Sequence, residues 1–197
     1  MIKINKILYQ LLFIILLSFP VIAESKILRI GDDNAKVSVK VFSSLTCPHC
    51  ASFHKNIFNK LKKDFIDNGT VKFEHHSFPL DLAALNAEII VRCHVDNIKS
   101  FRLLEKIYEK QSKWAVGSDI NIINESIKKI GLESGLEDSK MNECLKNDTV
   151  QDEILKERIE AQKNYNIRST PTIYINDKKF DKKHEYQEFK KAIEKFL

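Results

Sequence analysis

β-Type alternation occurs in only two parts of this 197-residue chain, residues 27–78 and 172–180, and everything between them is periodic in the helical sense alone. In the first part, Ile27-Leu28-Arg29-Ile30 and then Val37, Val39 and Val41 alternating with Ser38 and Lys40 read as short strands. They are split by the turn Gly31-Asp32-Asp33-Asn34, and the second strand runs on into Phe42-Ser43-Ser44-Leu45. From Pro48 to about Ile66 the apolar residues Phe53, Ile57, Phe58, Leu61 and Phe65 recur three and four apart, which predicts a helix, and Asn68-Gly69 stops it. Val71 to Phe78 is a third strand, ended by Pro79.

Residues 81–165 then read as helices: Leu82 to Val95, Phe101 to Trp114, Ile120 to Ile130 behind a Ser118 cap, Ser139 to Leu145, and Val150 to Tyr165. Strand patterning resumes at Thr172-Ile173-Tyr174-Ile175, turns at Asn176-Asp177 and continues through Lys178-Lys179-Phe180. Tyr186 to Leu197 closes the chain as a helix with Phe189, Ile193 and Phe196 on one face. There is no internal repeat. The economical architecture is one α/β domain built from both ends, residues 24–80 and 166–197, interrupted by an all-helical domain at 81–165.

Residues 1–23 stand apart. Lys3 and Lys6 precede an apolar run from Ile7 to Phe19, and Val21-Ile22-Ala23 follows Pro20, the pattern of a secretory signal peptide cleaved after Ala23. The run falls short of the roughly 20 residues that span a bilayer. An exported location is therefore expected. The net charge is +5, and Lys3 and Lys6 contribute two of it, leaving +3 spread over interleaved Lys and Glu. With no basic stripe or recognition motif, nucleic acid is excluded as the main partner.

All four cysteines follow the leader, in a compartment where disulfides persist. Cys47 and Cys50 frame Cys47-Pro48-His49-Cys50 where a strand gives way to a helix. A helix N-terminus presents free N–H groups and the positive end of the helix dipole, which stabilise a thiolate at Cys47. Pro48 suits the first turn, where its missing N–H costs nothing, and His49 can add a donor or a charge. Cys50 lies one turn on, within reach of Cys47. Cys47 is thus the candidate nucleophile, Cys50 the resolving thiol and His49 the thiolate stabiliser. Stabilising that thiolate favours the reduced form and makes the disulfide oxidising.

Two other readings of the motif compete. A purely structural disulfide removes little chain entropy when its ring is so small. A zinc site recruiting His54 would still need a fourth ligand, and the remaining Cys and His are not spaced as a second knuckle. Ala51 after Cys50 excludes the covalent haem motif. No metal or other cofactor is expected. Late in the chain, Thr170-Pro171 opens a strand, a place where a cis peptide occurs but trans is the commoner state.

These segments together resemble the DsbA family of thiol:disulfide oxidoreductases: Leu45-Thr46-Cys47-Pro48-His49-Cys50-Ala51, Phe53-His54, Phe78-Pro79-Leu80-Asp81, Gln111, Trp114 and Thr170-Pro171-Thr172. The resemblance runs through nearly all of the chain after the leader. It implies a thioredoxin fold interrupted by a helical domain, with Pro171 in cis facing Cys47 and Thr170 and Pro171 forming the substrate-binding edge. It also implies a mixed-disulfide reaction with reduced or misfolded secreted proteins, and reoxidation by a DsbB-type membrane quinone reductase. A monomer is expected. Disulfide isomerisation or reduction on the same fold is the alternative activity, and a non-catalytic peptide-binding chaperone the more distant one. Two departures stand out: Val41 occupies the position, six before the first Cys, where many relatives carry Glu, and Thr170 resembles the isomerase branch more than the best-known oxidase, which has Val there.

Cys93 and Cys144 fall on two helices of the insertion with no local partner, and we expect them to pair as a structural disulfide, the alternative being two buried free thiols. Some relatives with a Leu-Thr-Cys-Pro-His-Cys site look similar in carrying this extra pair. His75, His76, His94 and His184 read as structural or solvent-facing, and His54 as a surface residue of the helix.

Overall fold

A computed structural model describes residues 27–197, so the expected leader and its expected cleavage after Ala23 lie outside the described residues. Five strands form one sheet: β1 (Leu28–Ile30), β2 (Val37–Ser43), β3 (Val71–Ser77), β4 (Thr172–Ile175) and β5 (Lys178–Lys179), in the order β1-β3-β2-β4-β5. Only β2 and β3 are parallel, with Val41 opposite His75; Phe42 on the other side of β2 faces Thr172 of β4. The two ends of the chain therefore share one sheet, and β4 lies beside its central strand, β2, which leads to Cys47. Val37, Val39 and Val41, two apart and so on one face of the central strand, are fully buried, while Ser38 and Lys40 on the opposite face are half-buried.

The β2–β3 crossover is a helix that begins as α1 (Pro48–Phe53), widens to a π-type turn at His54–Phe58, tightens through α2 (Asn59–Leu61) and widens again at Lys62–Ile66. Gly69, at φ 77°, ends it. Before β2, Gly31 takes φ 98°, and a Cβ there would meet the Val71 carbonyl oxygen at 2.3 Å, so this turn requires glycine. The final helix, α9 (Tyr186–Glu194), buries Phe189 and Ile193 in the main core, with Phe189 stacked on Phe180 at 4.0 Å and edge-on to Phe53.

The insertion comprises α3 (Leu82–Val91), α4 (Asn97–Glu109), α5 (Gln111–Trp114), α6 (Ile120–Leu132), α7 (Asp138–Leu145) and α8 (Asp148–Tyr165). This is a thioredoxin-like fold carrying an inserted helical domain. Three local expectations need correction. The helix foreseen over Phe101–Trp114 is broken at Lys110 into α4 and α5, and α3 stops at Val91 rather than Val95. The cap of α6 is Asp119, whose carboxylate accepts from the Asn121 N–H, and not Ser118. Aspartate holds the position because its charge also complements the helix dipole.

A buried polar layer joins the two parts. His75 of β3 and Glu88 of α3, both fully buried, pair at 2.7 Å. Arg92 bridges the Ser77 hydroxyl and Glu157, while the Ser77 N–H donates to the same carboxylate at 2.8 Å. His76 lies between Glu74 and Glu157. Neither histidine of β3 faces solvent, because the insertion covers what would otherwise be an outer face of the strand. Cys93, just beyond α3, is joined to Cys144 of α7 by a disulfide across 51 residues.

Candidate active site

The backbone from Ser43 to Cys50 makes the turn that sets the site. The Cys47 N–H donates to Ser44 O, and the N–H groups of Cys50 and Ala51 donate to Cys47 O. Cys47 is the N-cap, extended at φ −75° and ψ 119°, and Pro48 opens the helix. Around this turn, Gln111 of α5 donates through Nε2 to Leu45 O at 2.7 Å and Cys47 O at 3.0 Å. On the other flank the Thr46 hydroxyl donates to Asp81, whose second oxygen caps α3. The sequence reading picked out Gln111 and Asp81 only as members of matched segments; that both clamp the cysteine loop depends on contacts across 35 to 66 residues.

Across the turn stands the Thr170-Pro171 peptide, which is cis. Cys47 Sγ lies 3.3 Å from the Thr170 carbonyl oxygen and can donate to it as a thiol. The Thr170 hydroxyl has no other partner among the described residues and is the donor available once the sulfur is ionised. Of the two free thiols, Cys47 faces the Thr170-Pro171 loop from the helix N-terminus while Cys50 is buried behind it, and of the motif only Pro48 and His49 are exposed.

Electrostatics separates the two sulfurs. Cys47 is brought down to about 5, first by the hydrogen bond from the Cys50 thiol, against the cost of burial, then by Thr170 and the backbone N–H groups of Cys50 and His49. Cys50 is pushed far up, chiefly by burial and by giving its proton toward Cys47; the Ser43 hydroxyl and Ser44 N–H pull the other way. One sulfur is thus a thiolate and the other a thiol near neutrality. His49 contributes through its backbone N–H; its imidazole is exposed and lies near enough to His184 that, after burial, it lowers that residue's pKa.

His54 is not the surface residue foreseen. It is buried, its ring stacked on Tyr108 of α4 at 4.2 Å, and burial followed by the nearby His75 holds it well below the ordinary imidazole range. The reason is the insertion, which lays α4 over a helix face that would be exposed in the thioredoxin-like part alone. Among the described residues no group of three or more His, Cys, Asp or Glu is placed to hold a metal ion.

A thiolate and a buried thiol at a helix N-terminus, opposed by a cis-proline loop, make an arrangement that comparison with known proteins can test. The family model for thioredoxin matches residues 24–195. Disulfide bond formation protein D of Bacillus subtilis is 36% identical over 177 residues, covering 85% of this chain and 76% of that protein. This chain belongs to the DsbA family. Among solved structures, alpha-DsbA1 of Wolbachia pipientis superimposes with a TM-score of 0.80 at 25% identity, covering 92% of this chain and 94% of that one. BdbD of Bacillus subtilis, in its oxidised form, gives 0.77 at 28% identity, covering 86% and 92%. As a DsbA-type protein the chain is a thiol:disulfide oxidoreductase.

Proposed function

We propose that this protein donates its Cys47–Cys50 disulfide to reduced proteins exported to the same compartment, the periplasm. In this reading a substrate thiolate attacks Cys47 Sγ, the Cys47–Cys50 bond breaks, and its electron pair leaves on Cys50, which takes up a proton. A second substrate thiolate then attacks the substrate sulfur of the mixed disulfide and expels the Cys47 thiolate. The observation that carries this reading is the depressed Cys47 pKa: a good leaving thiolate speeds the second step and stabilises the reduced protein.

Thr170 and Pro171 would align the substrate chain beside Cys47, and Leu80 and Leu82, exposed on either side of the Asp81 that holds Thr46, offer apolar surface to an unfolded segment. Reoxidation by a DsbB-type quinone reductase and a monomeric state complete the proposal. Export follows from the leader, which the family's usual location supports.

Oxidation of a reduced two-cysteine peptide by the oxidised protein tests the reading: transfer is expected to be rapid and to vanish in Cys47→Ala. A Cys47→Ala protein that oxidises the peptide at the normal rate would refute it. The second reading, isomerisation, is favoured by Thr170. Rescue of scrambled ribonuclease at substoichiometric dose would support isomerisation, and its absence the oxidase.

A further inference from the structure

When the Cys47–Cys50 bond opens, negative charge develops on Cys50, a sulfur with no exposure to solvent in the main apolar core. Val41, six residues before Cys47, is apolar and brings no charge, and among the described residues the side chains that act on Cys50 by hydrogen bonding are Cys47, which raises its pKa, and Ser43, which lowers it. Ser43 ends β2, is itself fully buried, and its Oγ lies 2.6 Å from the phenolic oxygen of Tyr108. Tyr108 is anchored in turn: its ring stacks on His54, packs edge-on toward His75, and its hydroxyl has Ser43 as its side-chain partner. The phenol stays protonated, because burial and then the charges of Cys50 and Glu88 hold its pKa well above the ordinary range.

We propose that Ser43 is a catalytic residue of the exchange, donating its hydroxyl proton as a hydrogen bond to the Cys50 thiolate as that sulfur leaves, and that Tyr108 is a positioning residue that orients it by donating to Ser43 Oγ. With the phenol fixed as donor to Ser43 Oγ, the Ser43 proton is directed away from Tyr108 and toward the sulfur. Each donor polarises the next, and the low-dielectric surroundings strengthen the interaction. No proton is transferred along the pair. The bond formed is between the incoming sulfur and Cys47, the bond broken is Cys47–Cys50, and the electron pair rests on a hydrogen-bonded Cys50, which then takes up a proton equivalent to the one the attacking thiol lost on ionising. In the reverse direction the same hydrogen bond lowers the cost of ionising Cys50 so that it can attack a mixed disulfide on Cys47.

The inference rests on Cys47–Cys50 being the exchanging pair. Its signature is kinetic: the pair of hydroxyls stabilises a charge present on Cys50 in the transition state and absent from both the disulfide and the neutral thiol. The test is the rate at which dithiothreitol opens the Cys47–Cys50 disulfide, followed by acid quench and mass spectrometry, together with the equilibrium of that disulfide with glutathione. Wild type, Ser43→Ala, Tyr108→Phe and the double variant are compared, with thermal unfolding to show that each is folded. Ser43→Ala is expected to slow opening about tenfold or more, the effect of losing a hydrogen bond to a charged group, while the glutathione equilibrium moves less than about twofold. Tyr108→Phe should slow it less, and the double variant no more than Ser43→Ala alone.

Opening of Ser43→Ala at the wild-type rate, or a shift in equilibrium as large as the change in rate, overturns the role of Ser43. A Tyr108→Phe protein at the wild-type rate, or additive effects, overturns that of Tyr108. A wild-type disulfide that dithiothreitol does not open refutes the exchanging pair itself, which separates that failure from this one.

Discussion

Opening the Cys47–Cys50 disulfide should make this protein more stable at pH 8 and less stable at pH 5. The ordinary thiol near 9 is lowered to about 5 at Cys47, so the folded, reduced chain favours the thiolate over the unfolded one. For a depressed pKa the gain is complete above the unfolded value, shrinks as pH falls below it and is gone by the folded value. Between pH 9 and 5 it amounts to at most about 1.4 kcal/mol per pH unit above 5, or about 4 kcal/mol at pH 8, with solvent at the exposed Pro48-His49 edge reducing it. From pH 5 to 8 Cys50, buried and raised, stays a thiol in the folded chain and largely so in the unfolded one, and adds almost nothing. Against this, closing a ring of about four residues stabilises the oxidised form by roughly 2 kcal/mol on the chain-entropy model. The two balance between pH 6 and 7. Thermal unfolding of the oxidised protein and of protein whose Cys47–Cys50 bond alone has been opened, verified by mass, should give curves of midpoint against pH that cross in this region. Each net kcal/mol corresponds to roughly 2 to 4 °C at this size. An oxidised form more stable at every pH from 5 to 8, or a difference that does not change with pH, would refute the argument from the thiolate.

Three further outcomes follow from particular contacts. Thr170→Val removes the hydroxyl available to the Cys47 sulfur and should raise the midpoint of its thiolate absorbance titration by about one unit; an unmoved midpoint would show that the backbone N–H groups suffice. Replacing Cys93 and Cys144 together by Ala releases a 51-residue constraint and should cost about 4 kcal/mol in urea unfolding, while the Cys47 titration stays where it was. Glu88→Ala leaves His75 buried without its hydrogen-bond partner and should cost about 1 to 3 kcal/mol by the same assay; a loss under about 0.5 kcal/mol would mean that this contact contributes little to the fold.

The parts of this molecule written in local pattern were open to reading. Strand alternation at Val37–Val41, the three-and-four spacing of Phe53 to Phe65 and the Cys47-Pro48-His49-Cys50 motif place a redox pair at a strand-to-helix junction, and Pro171 comes to Cys47 because β4 pairs with β2. What escaped reading lies at contacts between the ends and the insertion. His54 looked external because helical periodicity knows only its own helix; α4 covers it. Ser43, inside a strand that the sequence carries on to Leu45, and Tyr108, one of four aromatic residues in the insertion, meet across 65 residues, and no spacing rule connects them. His75 and Glu88 are thirteen residues apart but on different elements, and only the packing of α3 on β3 reveals them as a pair. His49 was legible as a neighbour of the thiolate, yet its contribution comes through the backbone, which any residue at that position would supply.

The equilibrium of Cys47–Cys50 with glutathione, followed by mass spectrometry with Cys93 and Cys144 tracked separately, bears most directly on the oxidase reading. A thiolate held at about 5 predicts a pair that remains largely reduced even in a strongly oxidising glutathione buffer, with a potential well above that of the glutathione couple. A pair that is oxidised under strongly reducing conditions would contradict it, because then nothing at the helix N-terminus favours the reduced protein.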